Sequence, residues 1–523
     1  MNRHLHRVIT LVVTCLGSFM VLLDASIVVT ALPTIQDSFH ANLSDLQWAV
    51  DAFTLSFAAL MLTGGTLGDR FGRKRFFLLG LVLFLLGSLL CGYAPALGWL
   101  LFGRAVQGVG AAALAPGSLS VLAAAFPEPR GRAQAIGLWA GVSGLGLAVG
   151  PLAAGWLIHI ASWPAIFYVN LPVGLFVLLL SLPGLAESRD PHARRIDLPG
   201  QVLITGSLFC LVMALIEGSA AGWTSPLIRG LFACSVAGLS AFLLVEARVR
   251  EPMIPLHLFA NRVFWVANVT SVVLGFAMMG TLFFLVQFLQ DVQRYSAFEA
   301  GLRTLPASVG IFAVAPFAGR LTARRGPRLP IVLGAMSCTG SLVLLLGLSP
   351  DTSYAILGWQ MGLFGIGCGL MISPLAAAVL SATPQDRSGL GSSILNTGRQ
   401  VGITLGVAAL GAFILQQFPG NIVSQLTQAG VPGAMSATIA KRIAVAGADA
   451  SQVSSLGHLP LSPAVLHQTI SQAFVDTLKG TFLISAFSLL TVALLVTFLL
   501  RQKQPATRTS AEAGNIEPLS TLP

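Results

Sequence analysis

Along the chain, apolar residues come in unbroken stretches of about twenty, separated by short polar or charged connections. A stretch of that length crosses the ~30 Å hydrocarbon core of a bilayer as a helix, whereas a barrel strand needs only about ten alternating residues. Lipid offers the backbone no hydrogen-bond partner, so such segments must be helices that satisfy their own amides. The pattern predicts fourteen spans, near 8–33, 46–66, 75–93, 97–122, 133–158, 165–185, 199–218, 227–247, 263–288, 300–320, 329–348, 354–380, 389–416 and 478–500. The fold class is therefore an all-α polytopic membrane protein.

Composition sharpens this. The 523 residues are 55% hydrophobic and only 10% charged, against about 25% charged in soluble domains. Too little charge is available to cover a water-facing surface, which excludes a soluble enzyme, a disordered chain and a nucleic-acid binder and makes the lipid bilayer the first partner. The net charge of +10 carries information through its placement. Even parity puts both termini on one side. Arg3, Arg7, Arg70, Arg73, Lys74, Arg75, Arg130, Arg132, Arg248, Arg250, Arg320, Arg324, Arg325, Arg328 and Arg501 fall at the termini or beside the even-numbered connections, while 34–45, 94–96, 159–164, 219–226 and 349–353 contain no Lys or Arg. The positive-inside rule then makes both termini cytoplasmic, in a multi-pass protein of the cytoplasmic (inner) membrane. Met1–Arg7 is basic, but the apolar run behind it is too long for a signal peptide and lacks an Ala-x-Ala site, so it reads as a retained first span. Cys15, Cys91, Cys210, Cys234, Cys338 and Cys368 lie in apolar runs without metal or disulfide spacing.

The connection after span 2 runs from Gly65 through Leu67, Arg70 and Gly72 to Lys74; that after span 10 runs from Gly319 through Leu321, Arg324 and Gly326 to Arg328, at equal offsets. Spans 9–14 thus repeat spans 1–6. The expected units are a six-helix half over 1–186, a linker with two inserted helices over 187–261, a second six-helix half over 262–500, and a cytoplasmic tail over 501–523. Repeated halves with a site between them are a transporter architecture. Residues 417–477 read as an external loop, with Ala434–Ala444 a candidate surface helix; either a substrate lid or a variable excursion would account for it.

Several segments resemble signatures of the major facilitator superfamily. Gly65–Arg75 resembles its helix 2–3 signature, Leu101–Gly110 its helix-4 signature, and Gly141–Gly155 its helix-5 antiporter signature. Leu23–Pro33 further resembles the helix-1 signature of the fourteen-span drug:proton antiporters of the EmrB/QacA type. The match runs in order from Leu23 to about Gly411. It departs where Pro164 and Ala165 follow Trp163, and in span 13, which lacks the acidic residue of some members; the second departure weighs against dicationic substrates. The resemblance implies the major facilitator fold and proton-coupled antiport rather than uptake.

The same residues have a physical reading. In the first signature the glycines Gly65 and Gly72 let helix ends approach, and Asp69 is placed to pair with Arg70, Arg73 or Lys74 and a neighbouring helix end as a conformational latch; the alternative is that the basic residues only set topology. In span 5, Gly141, Gly144, Gly146, Gly150 and Gly155 with Pro151 suit either a rocking interface between the halves or ordinary close helix packing.

Ionisable residues inside spans matter most, because charge in hydrocarbon costs several kcal/mol. Counted from the outer span ends at ~1.5 Å per residue, Asp24, Asp51 and Arg104 sit roughly 14, 7 and 10 Å deep. Such a carboxylate can exchange a proton when its cavity alternates between wet and dry, and Arg104 can tune it; the alternative is a static pair holding the bundle. Arg399 is either a second modulator of carboxylate pKa or a residue snorkelling to the cytoplasmic face. Gln287, Trp139, Trp359, Phe276, Phe283 and Phe284 are candidates to line a cavity. No Walker motif, metal-ligand cluster or nucleophile constellation is present, so no catalytic residue, metal or cofactor is expected. The sequence points to efflux of small amphipathic or lipophilic compounds driven by protons, with a nutrient symporter or a non-transporting sensor as alternatives and a periplasmic adaptor as a partner left open.

Overall fold

The computed structural model describes residues 3–189, 197–249, 251–384, 388–446 and 463–500; the tail over 501–523 and part of the linker lie outside them. All regular structure among the described residues is helical. Thirteen helices are long and apolar enough to cross a membrane, and a fourteenth, Pro129–Ile160, is bent by 42° between Leu147 and Val149, just before Pro151. Proline removes one rung of the ladder, and this is the expected result.

The spans are Arg3–Phe39, Leu43–Phe71, Arg73–Gly92, Leu97–Ala125, Pro129–Ile160 and Ala165–Gly184; then Leu198–Ala221 and Pro226–Glu246; then Arg262–Gln287, Ala297–Arg325, Arg328–Leu344, Tyr354–Ala382, Ser388–Gln428 and Pro463–Leu499. They are called spans 1–14. Short π and 3-10 turns extend spans 9 and 11.

Packing repeats with an offset of eight spans. Span 1 packs on 5, 2 on 4, and 3 on 4; likewise 9 on 13, 10 on 12, and 11 on 12. Even the helix starts repeat: Asn42 and Asp45 form a capping box on span 2, and Ser296 and Glu299 form one on span 10, in the register that aligns Gly319 with Gly65. Each box satisfies orphan amides at a membrane-span terminus. The two groups of six meet through span 2 on 13 and span 5 on 10. Span 7 packs beside the first of these seams, fixed to span 2 by hydrogen bonds of Gln201 to Thr63 and to the Ala59 carbonyl, and of Trp48 to Glu217 at 3.0 Å. Span 8 packs on span 7.

The excursion between spans 13 and 14 is shorter than the sequence suggested. Span 13 continues through Pro419 to Gln428, span 14 begins at Pro463, and Gly433–Ala446 is a helix packed back on span 13. Ile422, Leu426, Ile470 and Phe474 are buried where the two extensions meet, and Asp476 accepts hydrogen bonds from Gln425, Gln472 and Lys479. Polar residues that broke the hydropathy pattern therefore join helices to each other. The 417–477 boundary is corrected accordingly.

The halves close at one end only. A Cβ at Gly155 or Gly301 would collide with the backbone of Phe298 or Pro151, and one at Gly144 with the Phe312 ring. Gly137 lies on the same face of span 5, and Gly319 on the same face of span 10, yet neither has a heavy atom within 4 Å of its Cβ position. Spans 5 and 10 thus touch at the end away from the basic connections and part toward the basic end. Gly301→Leu should leave each half folded but hold this seam apart. In a cysteine-free background, Ala154→Cys should then react with a soluble maleimide about tenfold faster, as a population shift of that size requires; an unchanged rate would mean that the glycine contact does not control closure.

Candidate functional site

Asp24 of span 1 and Arg104 of span 4 form an ion pair at 0% and 1% exposure. The pair is surrounded. Asp24 accepts hydrogen bonds from Gln107 at 2.9 Å and Asn170 at 3.0 Å, and both amides also donate to Ser88. Arg104 donates to Gln107 Oε1 at 2.9 Å and, through Nε, to the Ala49 carbonyl at 3.0 Å. Its guanidinium lies over the Phe53 ring, 4.4 Å from the centroid. Five spans of the first half, 1, 2, 3, 4 and 6, are joined at this one cluster. Gln107 is one helical turn beyond Arg104, so a single face of span 4 presents both.

Asp51 belongs elsewhere. It is at 0% exposure, one oxygen accepts from Thr54 at 3.1 Å, and the other has no partner among the described residues. Thr54 accepts in turn from Thr404 of span 13 at 3.0 Å. The chain Thr404–Thr54–Asp51 crosses the seam between the halves, at its closed end. Arg399, five residues from Thr404, donates to Asn396 at 2.9 Å and has no carboxylate within 4 Å among the described residues. The structure therefore brings Asp24 and Arg104 together and leaves Asp51 and Arg399 apart from them and from each other.

In the connection after span 2, Asp69 pairs with Arg73 at 2.7 Å, within its own loop. The loop is docked on the end of span 6: Glu187 accepts from the Lys74 amide at 3.1 Å and pairs with Arg75 at 3.6 Å, the Lys74 ammonium donates to the Leu182 carbonyl, and the Arg73 amide donates to Ser188. Gly72, at φ 118°, makes the turn, and a Cβ there would strike the Glu187 carboxyl. Arg70 lies over the Phe71 ring, and Gly65 faces Pro116. In span 5 the glycines divide: Gly146 and Gly150 pack on span 1, Gly144 and Gly155 with Pro151 on span 10, and Gly141 stands free.

Comparison with known proteins decides the family. The Major Facilitator Superfamily profile matches residues 14–407. The chain belongs to the major facilitator superfamily. Within it, the chain is 38% identical over 430 residues to the multidrug resistance protein Stp of Mycobacterium tuberculosis, covering 82% of this chain and 79% of that one. It is 32% identical over 508 residues to the tetracenomycin C resistance and export protein of Streptomyces glaucescens, covering 96% and 93%. It is also 38% identical over 408 residues to the puromycin resistance protein pur8 of Streptomyces alboniger, covering 76% and 80%. A bacterial homologue of the human lysosomal transporter Spinster, solved in an inward-facing, unoccupied conformation, has the same fold, with a TM-score of 0.64 at 18% identity over 96% of this chain and 99% of that one.

Of the other candidates, Trp139 donates to Ser18 at 2.8 Å inside the first half, Trp359 is exposed on the outer wall, and Phe283 and Phe284 are core. Sequence reasoning missed Asn170, Ser88 and Glu187. The first two are uncharged residues in apolar spans and gave no signal beyond polarity; Glu187 was visible as an acid beside a basic loop.

The buried pair gives a stability prediction. Arg104→Ala leaves Asp24 as an uncompensated buried charge and should cost about 3–5 kcal/mol. Asp24→Asn with Arg104→Gln removes both charges and should recover most of that loss. Thermal unfolding in detergent would show the ordering; equal stability of all three forms would mean that the pair is not structural.

Proposed function

We propose that this protein exports small amphipathic compounds across the cytoplasmic membrane in exchange for protons, by alternating access of its two six-helix halves. Charge placement supports cytoplasmic termini. On that orientation the described state is closed to the outside and open to the cytoplasm. The names of the relatives support antibiotics and other drugs as substrates.

The observation that carries proton coupling is the Asp51–Thr54–Thr404 chain across the outer seam. Asp24 is held by three donors, so giving it a proton would break an ion pair; Asp51 has an oxygen without a donor, so giving it a proton breaks nothing. Opening the seam exposes Asp51 to the outer medium. A proton taken there removes the cost of burying a charge when spans 2 and 13 close again. The halves then return to the inward-facing state, where the cavity takes up a new substrate. In this reading Asp51 carries the proton and the Asp24–Arg104 cluster keeps the first half rigid. One proton supplies about 2.3 kcal/mol per 100 mV and about 1.36 kcal/mol per pH unit. No cofactor is needed.

Asp51→Asn imitates the neutral acid. It should bind substrate within about twofold of wild type, yet lose uphill export in proteoliposomes driven by an imposed pH gradient, because binding and coupling use different groups. Uphill export at the wild-type rate would remove Asp51 from the coupling step.

A further inference from the structure

Span 14 meets span 13 at Phe413 and along its extension, and the rest of span 13 turns three faces to different neighbours. Gly398, Gly402 and Gly406 pack on span 9, Thr404 and Gly411 on span 2, and Leu405 and Ala408 cluster with Val212 and Ile216 of span 7. At 100° per residue the remaining sector, between the span 9 and span 2 faces and away from span 7, holds Asn396 and Arg399. That sector points to the space between the halves. Gln400 borders it toward span 2.

The interior there is one-signed. In the second half the described acidic residues Asp291, Glu299 and Asp351 lie in connections or within a turn of a span end, Asp476 is paired with Lys479 in the extension of span 14, and Asp386 lies outside the described residues. In the first half, Asp24 is consumed by Arg104, and Asp51 lies at the closed outer seam. Among the described residues, Arg399 is thus a partly buried cation whose one hydrogen-bond partner is a neutral amide. A guanidinium held away from water without an anion is costly, and it is best relieved by a ligand that brings the anion.

We infer that Arg399, with Asn396, is the binding site for an anionic or strongly hydrogen-bond-accepting oxygen of the substrate, a carboxylate or ionised phenol on an otherwise apolar body. This inference rests on the efflux reading and narrows it: the cavity selects lipophilic acids over lipophilic cations. The guanidinium takes the two oxygens through its fork of N–H groups. The Asn396 carboxamide, now receiving one of them, orients that fork.

The test uses the purified full chain and three fluorescent probes of one shape: pyrenebutyrate, its methyl ester, and a pyrenyl trimethylammonium. Binding is read by anisotropy in detergent, and uphill export in proteoliposomes. Wild type should bind the carboxylate about tenfold more tightly than the ester or the ammonium, as loss of a charge-assisted pair implies. Arg399→Gln should erase that preference while leaving ester binding unchanged, Arg399→Lys should keep part of it, and Arg399→Glu should favour the ammonium. Equal binding of the three probes by wild type, or an unchanged preference in Arg399→Gln, would overturn the inference. Uphill export of the ammonium without preference for the acid would sink this inference alone and leave efflux standing; no uphill movement of any probe would sink both.

Discussion

A carboxylate and a guanidinium locked together inside hydrocarbon set the geometry of the first half. Each alone would cost several kcal/mol at that depth. Together, with Gln107, Asn170 and Ser88 taking the remaining hydrogen-bond positions, they fix spans 1, 3, 4 and 6 around one point and reach span 2 through the Ala49 carbonyl. Lipid supplies no hydrophobic force between helices, so close glycine contacts do the rest. Spans 3 and 4 interlock through Gly87 and Gly103, and spans 11 and 12 repeat the arrangement through Gly334 and Gly367. Two stiff bodies result.

What moves is the boundary between those bodies, and it is built differently. It closes through glycine contacts on spans 5 and 10, threonine hydroxyls on spans 2 and 13, and a hydrogen bond from Gln290, just past span 9, to the Thr30 carbonyl of span 1 at 2.9 Å. Such contacts are short-ranged and cheap to break, which is what a seam that opens in every cycle requires. Gln47, Thr30 and Asp51 near it all keep buried polar atoms without partners among the described residues. An unsatisfied buried group costs about 1–3 kcal/mol, and these regain water when the outer end opens.

The fold was legible because its signals are one-dimensional: apolar length gives spans, and the Gly65 and Gly319 segments give the repeat. The long extensions of spans 13 and 14 were not, because Gln425, Gln472 and Asp476 satisfy one another across helices and hydropathy reads them as loop. At the site, Asp24 and Arg104 stood out as charges in apolar runs, and their pairing follows from depth. The same arithmetic puts Asp51 shallower than Asp24, at roughly 7 Å against 14 Å, yet makes both candidates for the same proton. What separates them is the direction each faces, set by which neighbour packs beside it, and a single sequence does not carry that. Glu187 was visible as an acid at a span end, but its partners at Lys74 and Arg75 are distant in the chain and were not.

If Asp51 carries the coupled proton, protonating it closes the outer seam between spans 2 and 13. Spin labels on the outer ends of those two spans, in nanodiscs, would report the distance between them by double electron–electron resonance in acid and in alkaline buffer. The account predicts a short distance in acid and a growing long-distance population as the buffer becomes alkaline, with Asp51→Asn fixed at the short distance in both. A distance distribution that ignores pH in the wild type, or one that still responds to pH in Asp51→Asn, would contradict it.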